Sequence, residues 1–508
     1  MSEDVSQMLN KLVKTVAEVY RGYHQFMMSQ TVFSGLLLGE PILLIGSHGT
    51  MKTSMANFIG NLFDKPVVVV ETTVKNRGEI ENFFEDLGKT LNVSPEDLMR
   101  NLVEAINVSY DQTGDTLKIT VEIGLIQYPS AKTLGKTRRK PLSIFSQQVN
   151  NKTDPEEVLG YGIDHPAVLG MKPPHAIKAG KIAGADYVVL DEIFGAPMLL
   201  SKLHHALNEK VVDTTVGPII TKPLCWVLCT NPINKFYMTN YAVVNCATLD
   251  RYALSARSLP PSSQEILAMQ AKWKSLKTST RVPIELIYSA RRQLEQIKMP
   301  DELMIFCLSL ASHLSKCYFA PSTGKRSEVA RDPFETEKDC SLCIFRDLPC
   351  GLANVGKTRT IIRLQQAITA HALLEMKKEA DEDDLIFALM SVLPHRLSWN
   401  SQDFLAEKGD IFTATKGLVE EYAEQFARHY QQIKEVEQLI TNKNPELAKQ
   451  LQTKYFDAPI VRSLLDELTD MLKESALKKG DKETVEKLDP KINLARAIQL
   501  LKGKNQTP

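Results

Sequence analysis

The sequence has no unbroken stretch of roughly 18 apolar residues, so no conventional membrane-spanning helix is expected. It also lacks a surplus of either charge: 61 basic residues are matched by 61 acidic ones, for a formal net charge of +0. A dedicated nucleic-acid binder usually carries a basic excess, and the global field of this chain gives that reading no support. The opening residues, MSEDVSQML, are acidic and polar and lack the basic and apolar segments of a secretory leader. A cytoplasmic location is therefore expected. Cysteine is sparse, with eight in 508 residues, most of them in apolar runs or in one tight cluster. That usage does not resemble the disulfide framework of a small secreted domain. Internal repeats and low-complexity segments are missing too.

What the sequence does contain points to a folded chain of roughly two or three domains, because a single core stops growing well below this length. The first segment reads as a helix, with Val5, Met8, Leu12, Val16 and Val19 at helical spacing before the breaks at Gly35 and Pro41. Four β-rich apolar runs follow: PILLIG (41–46), PVVVVE (66–71), ADYVVLDE (185–192) and CWVLCTNP (225–232). Segments of helical character separate them, which predicts a three-layer α/β domain with buried parallel strands. Between Glu71 and Gly184 the pattern is long and irregular. It holds one alternating strand candidate, TLKITVEIGLIQY (116–128), and a basic stretch at Lys132, Lys136, Arg138, Arg139 and Lys140. Pro260 and Pro261 mark a break, after which the chain turns helical. Ile361, Leu364, Ile368 and Ala372 form one stripe, and Asp381 can cap a further helix running to Leu393. From about Ser401 the sequence is charged and helical, with Leu418, Tyr422, Phe426, Ile433, Val436 and Ile440 on one face. Such a stripe suits a bundle core or a helical appendage that docks a partner.

The chemistry concentrates at three strand ends. GSHGTMKTS (Gly46, Ser47, His48, Gly49, Thr50, Met51, Lys52, Thr53, Ser54) directly follows PILLI and fits a phosphate loop, except that Met51 stands where glycine is usual. Backbone N–H groups of such a loop wrap an anion at a helix N-terminus, Lys52 neutralises the β- and γ-phosphates, and Thr53 ligates Mg²⁺. Met51 is expected to hold ordinary helical dihedrals at the helix start. A plain glycine turn followed by a surface Lys-Thr is the competing reading. In YVVLDE, Asp191 and Glu192 leave a buried run side by side, which is costly unless they have a task. Asp191 is suited to hold Mg²⁺ through water and Glu192 to polarise the attacking water, although a strand-end Asp-Glu can also cap the next helix. The third run ends in Thr230, Asn231 and Pro232, where an amide can orient that water or simply begin a turn.

Taken together, GSHGTMKTS, VLDEIFGAPMLLSKLHHALNEKVV, CTNP, LDRYAL and the run from GKTR to LPHRL resemble the MoxR-like AAA+ ATPases of the helix-2-insert clade in order and spacing, over about residues 15 to 400. The resemblance implies an AAA+ P-loop NTPase core with a parallel sheet, a helical lid and, here, an extra C-terminal helical region. It implies ATP and Mg²⁺ as cofactors, a hexameric ring hydrolysing ATP at its interfaces, and the remodelling or maturation of protein complexes. Asn231 looks like the sensor-1 residue, Arg251 in LDRY like the arginine finger, and Arg359 in GKTR like the sensor-2 arginine of the lid. A guanidinium fork matches phosphate oxygens, whereas an isolated arginine usually serves a surface salt bridge. Many relatives work with a partner bearing a von Willebrand factor A domain. A DNA-directed motor, like the minichromosome-maintenance helicases, and a nucleotide-binding scaffold with weak hydrolysis remain alternatives.

The chain departs from the family pattern at Met51, at His48, where many relatives have proline, and at Phe194 and Gly195, which replace a polar pair after Asp-Glu. The last change touches the surroundings of Glu192 and is expected to slow hydrolysis without abolishing it. Domains are expected at 1–260, with an insertion at about 72–181, at 261–400, with a cysteine-bearing loop at 317–351, and at 401–508. The insertion's basic stretch is either a substrate or nucleic-acid contact or a solvated hairpin tip. Cys317, Cys340, Cys343 and Cys350 give C-x22-C-x2-C-x6-C, a set able to bind Zn²⁺ or an iron–sulfur cluster, or else four unrelated thiols. Cys225, Cys229, Cys246 and Cys307 are expected in the core.

Overall fold

The computed structural model describes residues 2–20, 23–99, 106–113, 115–161, 178–179, 182, 184–214, 217–220, 223–232, 246–267, 269, 281–315, 349–442, 444–455, 458–479 and 481. The chain divides into two compact units: Met1–Ile297 with Ala370–Lys378, and Lys298–Thr369 with Glu379–Pro508.

In the first unit, five strands form a parallel sheet in the order Leu254–Arg257, Ile42–Ile45, Cys225–Thr230, Tyr187–Asp191, Ile144–Gln148. Ile42–Ile45 and Cys225–Thr230 are buried along their whole length, as is Tyr187–Asp191 up to Leu190. Strands covered on both faces need such continuous apolar runs. Ile45 is level with both Thr230 and Arg257, and Leu190 with Leu228. The carboxyl ends of the three motif-bearing strands therefore emerge side by side at one edge, where open α/β sheets bind ligands. Tyr23–Leu38 and Lys52–Asn61 are among the helices packed on this sheet. The N-terminal helix Ser2–Val19 forms as its spacing predicts, burying Leu9, Val13, Val16 and Val19 while Met8 stays on the rim.

One predicted core strand lies elsewhere. PVVVVE is the middle of Phe63–Val74, which pairs antiparallel with Thr116–Gly124 and Lys136–Pro141 in a separate sheet. Only Val67 and Val68 of its valine run are fully buried. Two further parallel strands complete the sheet without an apolar run to announce them: Leu254–Arg257, and Ile144–Gln148 inside the stretch expected to be an insertion. The latter lies at the sheet edge with half-buried and exposed residues alternating, so IFSQQ suffices. The sheet of Phe63–Val74, which also holds Ile106–Thr113 and the short parallel strand Val282–Pro283, builds a second core with the helices Arg77–Leu91 and Pro95–Met99. Phe84, Leu87, Leu91 and Leu98 meet Ile119, Val121 and Ile123 there. Asn76 caps Arg77–Leu91 by accepting the Glu79 N–H at 3.0 Å.

The basic stretch on Lys136–Pro141 is occupied with this architecture. Arg138 reaches Glu122 at 2.8 Å, and Lys140 pairs with the same carboxylate. Arg139 forks onto Glu285 at 3.0 and 2.8 Å and reaches Asp64 at 2.7 Å. Burial raises the pKa of Glu122, but Lys140 and Arg138 outweigh it and hold the carboxyl below its ordinary range.

In the second unit, Asp381 caps Glu382–Val392 with a reciprocal capping box, as its position predicts. The C-terminal stripe is a packing face. Tyr422 is buried and donates to Ser309 Oγ at 2.6 Å, and Phe306 meets the Tyr422 and Phe426 rings edge-on at 5.5 and 5.0 Å. Pro459–Lys478 also packs on Asp301–Ser315. The C-terminal helices thus share a core with the helices before them. Among the described residues, no helix is long and apolar enough to cross a membrane.

Candidate functional site

The loop between Ile42–Ile45 and Lys52–Asn61 is fixed from both sides. The Gly46 N–H donates to Thr230 O at 3.1 Å, which ties the start of the loop to the end of the neighbouring strand. On the other flank, Ser258 donates through its hydroxyl to Thr50 O at 2.7 Å and through its N–H to Ile45 O at 2.7 Å. A Cβ on Gly46 would lie 2.1 Å from Ser258 O, so this approach admits only glycine. No motif points to Ser258; its bracing role comes from strand order, which a linear pattern does not display.

Met51 overturns the expectation of ordinary helical dihedrals. It has φ 66° and ψ 15°, in the left-handed region, and precedes the helix Lys52–Asn61 as its N-cap. Its carbonyl accepts the first helical hydrogen bond, from the Met55 N–H at 2.9 Å. The loop needs this kink to reverse into the helix, so the position is one that favours glycine. A side chain there costs about 1–2 kcal/mol. Met51→Gly should relieve that cost while losing about 0.5–1 kcal/mol to the greater freedom of the unfolded chain. The expected net result is a higher thermal midpoint for Met51→Gly and a clearly lower one for the β-branched Met51→Val. A lowered midpoint for Met51→Gly in a calorimetric scan would count against strain at this residue.

Lys52 is buried and its ammonium lies inside the loop, donating to Gly46 O at 2.7 Å, Ser47 O at 2.9 Å and Thr50 Oγ1 at 3.3 Å. Burial lowers its pKa from the ordinary value, opposed by Cys229, Asp191 and Glu192. Thr53 donates through its hydroxyl to Asp191 Oδ2 at 2.6 Å, linking the first turn of the helix to the end of Tyr187–Asp191. Two hard oxygen donors so placed suit a small divalent cation. Asp191 Oδ1 also accepts the Glu192 N–H at 3.0 Å. Behind them, burial and then the Asp191 carboxylate push the Cys229 thiol up to about 12, so it stays a neutral core group. Ser54 is exposed.

Glu192 is likewise left-handed, with φ 58° and ψ 37°, where the strand turns into a single helical turn. Strained non-glycine backbone of this kind concentrates at functional sites. The His48 ring lies between Glu192 and Asn231: Nδ1 is 3.6 Å from Glu192 Oε1, and Nε2 is 3.4 Å from Asn231 Nδ2. Lys52, Thr53, Asp191, Glu192, Asn231 and His48 thus form one linked group at the sheet edge.

Phe194, read in the sequence as a departure beside Glu192, is buried and meets Tyr252 edge-on at 6.3 Å. Arg251 precedes Tyr252 on the turn after Cys246–Leu249 and is half-buried. Arg359 is exposed in the first turn of Lys357–Leu374, within the second unit. Of the four-cysteine set, Cys317, Cys340 and Cys343 lie outside the described residues, and Cys350 sits half-buried in the short helix Pro349–Leu352. Among the described residues, no group of three or more His, Cys, Asp or Glu is arranged to hold a metal ion. Cys225, Cys229 and Cys307 are buried, as expected.

Comparison with known proteins places the second unit first. Residues 349–414 match the model of the AAA lid domain. No curated protein matches the chain. Among solved structures, a protein from Cytophaga hutchinsonii described as an ATPase is similar at 14% identity and a TM-score of 0.50, over 82% of this chain and 96% of that one. A full-length MCM homolog from Methanopyrus kandleri matches 76% of this chain and 59% of its own length at 10% identity, with a TM-score of 0.37. The parallel sheet, together with the matched lid domain, gives this chain the α/β fold of the AAA+ ATPases with a helical lid.

Proposed function

We propose that this protein is a Mg²⁺-dependent ATPase that assembles into a hexameric ring and couples turnover to the remodelling of protein complexes. The observation that carries the ATPase reading is the 2.6 Å hydrogen bond from Thr53 to Asp191, which joins the phosphate loop and the Asp-Glu strand in one site beside the buried Lys52. The loop N–H groups and the Lys52 ammonium bind the β- and γ-phosphates. Thr53 and Asp191 are the residues that would hold Mg²⁺, which when bound supplies positive charge against the phosphate oxygens. Glu192 polarises the attacking water, and Asn231 orients it. Arg251 acts on the site of a neighbouring subunit, and Arg359 answers from the lid, each by bidentate contact with phosphate oxygens. Ring assembly, a protein client and a von Willebrand factor A partner rest on the family resemblance. The reading as a DNA-directed motor is disfavoured by the pairing of three of the five basic residues of the insertion, Arg138, Arg139 and Lys140, with carboxylates of the same unit.

The test is phosphate release from the purified protein with and without Mg²⁺, beside Lys52→Ala. Turnover should require Mg²⁺. Lys52→Ala should weaken ATP binding by about 10- to 100-fold, the worth of a lost charge-assisted contact. Undiminished ATP binding by Lys52→Ala would remove the phosphate loop from the reading.

A further inference from the structure

The proposed reaction leaves the His48 side chain of the phosphate loop without a task. His48 stands on the crest of the loop beside Gly49, whose φ of +74° turns the backbone in open space. Its side chain is 70% exposed, yet its ring meets groups from two different strand ends. Glu192 follows Tyr187–Asp191, and Asn231 follows Cys225–Thr230. Nε2 lies within hydrogen-bond reach of the Asn231 amide, and Nδ1 faces the Glu192 carboxylate at 3.6 Å, close enough for electrostatic attraction. A proline at this point of the loop offers neither contact.

We infer that His48 is a positioning residue that ties the Glu192 carboxylate to the Asn231 amide, so that the two meet the attacking water as one unit. The geometry needs such a tie. Glu192 itself carries the strained left-handed turn out of the sheet, and its side chain is 29% exposed. Misplacing a catalytic group by about 1 Å can cost on the order of 100-fold in rate. A ring from the neighbouring loop, seated between the carboxylate and the amide, limits that freedom. This inference rests on the ATPase reading.

The experiment compares wild type, His48→Ala, His48→Asn, Asn231→Ala and the double variant His48→Ala/Asn231→Ala. It measures ATP affinity by equilibrium binding and turnover at saturating ATP. His48→Ala should lower kcat by about tenfold or more while ATP affinity stays within about twofold, because Lys52 and the loop N–H groups are untouched. His48→Asn, whose amide can donate to the carboxylate and also accept, should recover part of the loss. The double variant should be little worse than the poorer single variant, since the residues act as a unit. Loss of binding together with turnover would make His48 a loop-shaping residue and overturn the inference. Unchanged or faster turnover by His48→Ala would overturn it too, as would strictly additive losses. A wild type that binds ATP and releases no phosphate refutes the ATPase reading and takes the inference with it. An active wild type with an unaffected His48→Ala refutes the inference alone.

Discussion

Glu192→Gln should bind ATP as the wild type does and turn it over about 10²- to 10⁴-fold more slowly. The substitution keeps the size, the unbranched stem and one acceptor oxygen of the side chain, so the left-handed backbone at φ 58° is no harder to adopt. The contacts on which binding depends lie elsewhere: Lys52 within the loop, and Thr53 donating to Asp191 at 2.6 Å. What disappears is the charge and the basicity that draw a proton from water. Nucleotide titration should therefore superimpose on wild type while phosphate release collapses, with an unchanged thermal midpoint. If Glu192→Gln turned over at the wild-type rate, Glu192 could not be the group that activates water. The adjacent Asp191, already occupied by Thr53 and the Glu192 N–H, would be the next group to examine.

The sequence made the chemistry of the site easier to read than its mechanics. Asp191, Glu192 and Asn231 stand at or just past the end of a buried strand, and Lys52 and Thr53 open the helix that follows one; buried parallel strands advertise themselves as apolar runs with their functional residues beyond. Ile144–Gln148 belongs to the same sheet yet stayed hidden, because an edge strand buries little and IFSQQ carries no run. PVVVVE misled for the opposite reason: strong β-propensity identifies a strand but not the sheet it joins, and this one pairs antiparallel with Thr116–Gly124. The kink at Met51 could not be read from residue type, since methionine is an unusual occupant of a left-handed position. Neither could the His48 link, which depends on three loops converging in space. The basic stretch looked available for a ligand in one dimension, and only the fold shows Arg139 forked onto Glu285, 146 positions away in the sequence.

Arg251→Ala should reduce turnover by about 10³-fold or more, the scale at which an arginine finger acts in related phosphoryl transfer. The turn that carries Arg251 is held in place. The Arg251 N–H donates to Thr248 O at 3.3 Å, the Thr248 hydroxyl lies 3.3 Å from His204 Nε2, and the next residue, Tyr252, is buried with its ring edge-on to Phe194. Phe194 in turn follows Glu192 by two residues, so the apolar departure from the family pattern forms a clasp between the Asp-Glu turn and the Arg251 turn of the same subunit. A guanidinium on so firm a base is suited to a fixed task, and the proposal assigns that task to the next subunit's nucleotide. Mixing supplies the decisive measurement. Arg251→Ala subunits retain Glu192, and Glu192→Gln subunits retain Arg251, so each variant alone should be nearly inactive. Where an Arg251→Ala site faces a Glu192→Gln neighbour, the interface holds both intact groups. In an equal, randomly assembled mixture this occurs at about a quarter of the interfaces, and turnover should return to about that fraction of wild type. An arginine acting within its own subunit would give no recovery at any mixing ratio. The ring would then need another source for the charge that meets the γ-phosphate.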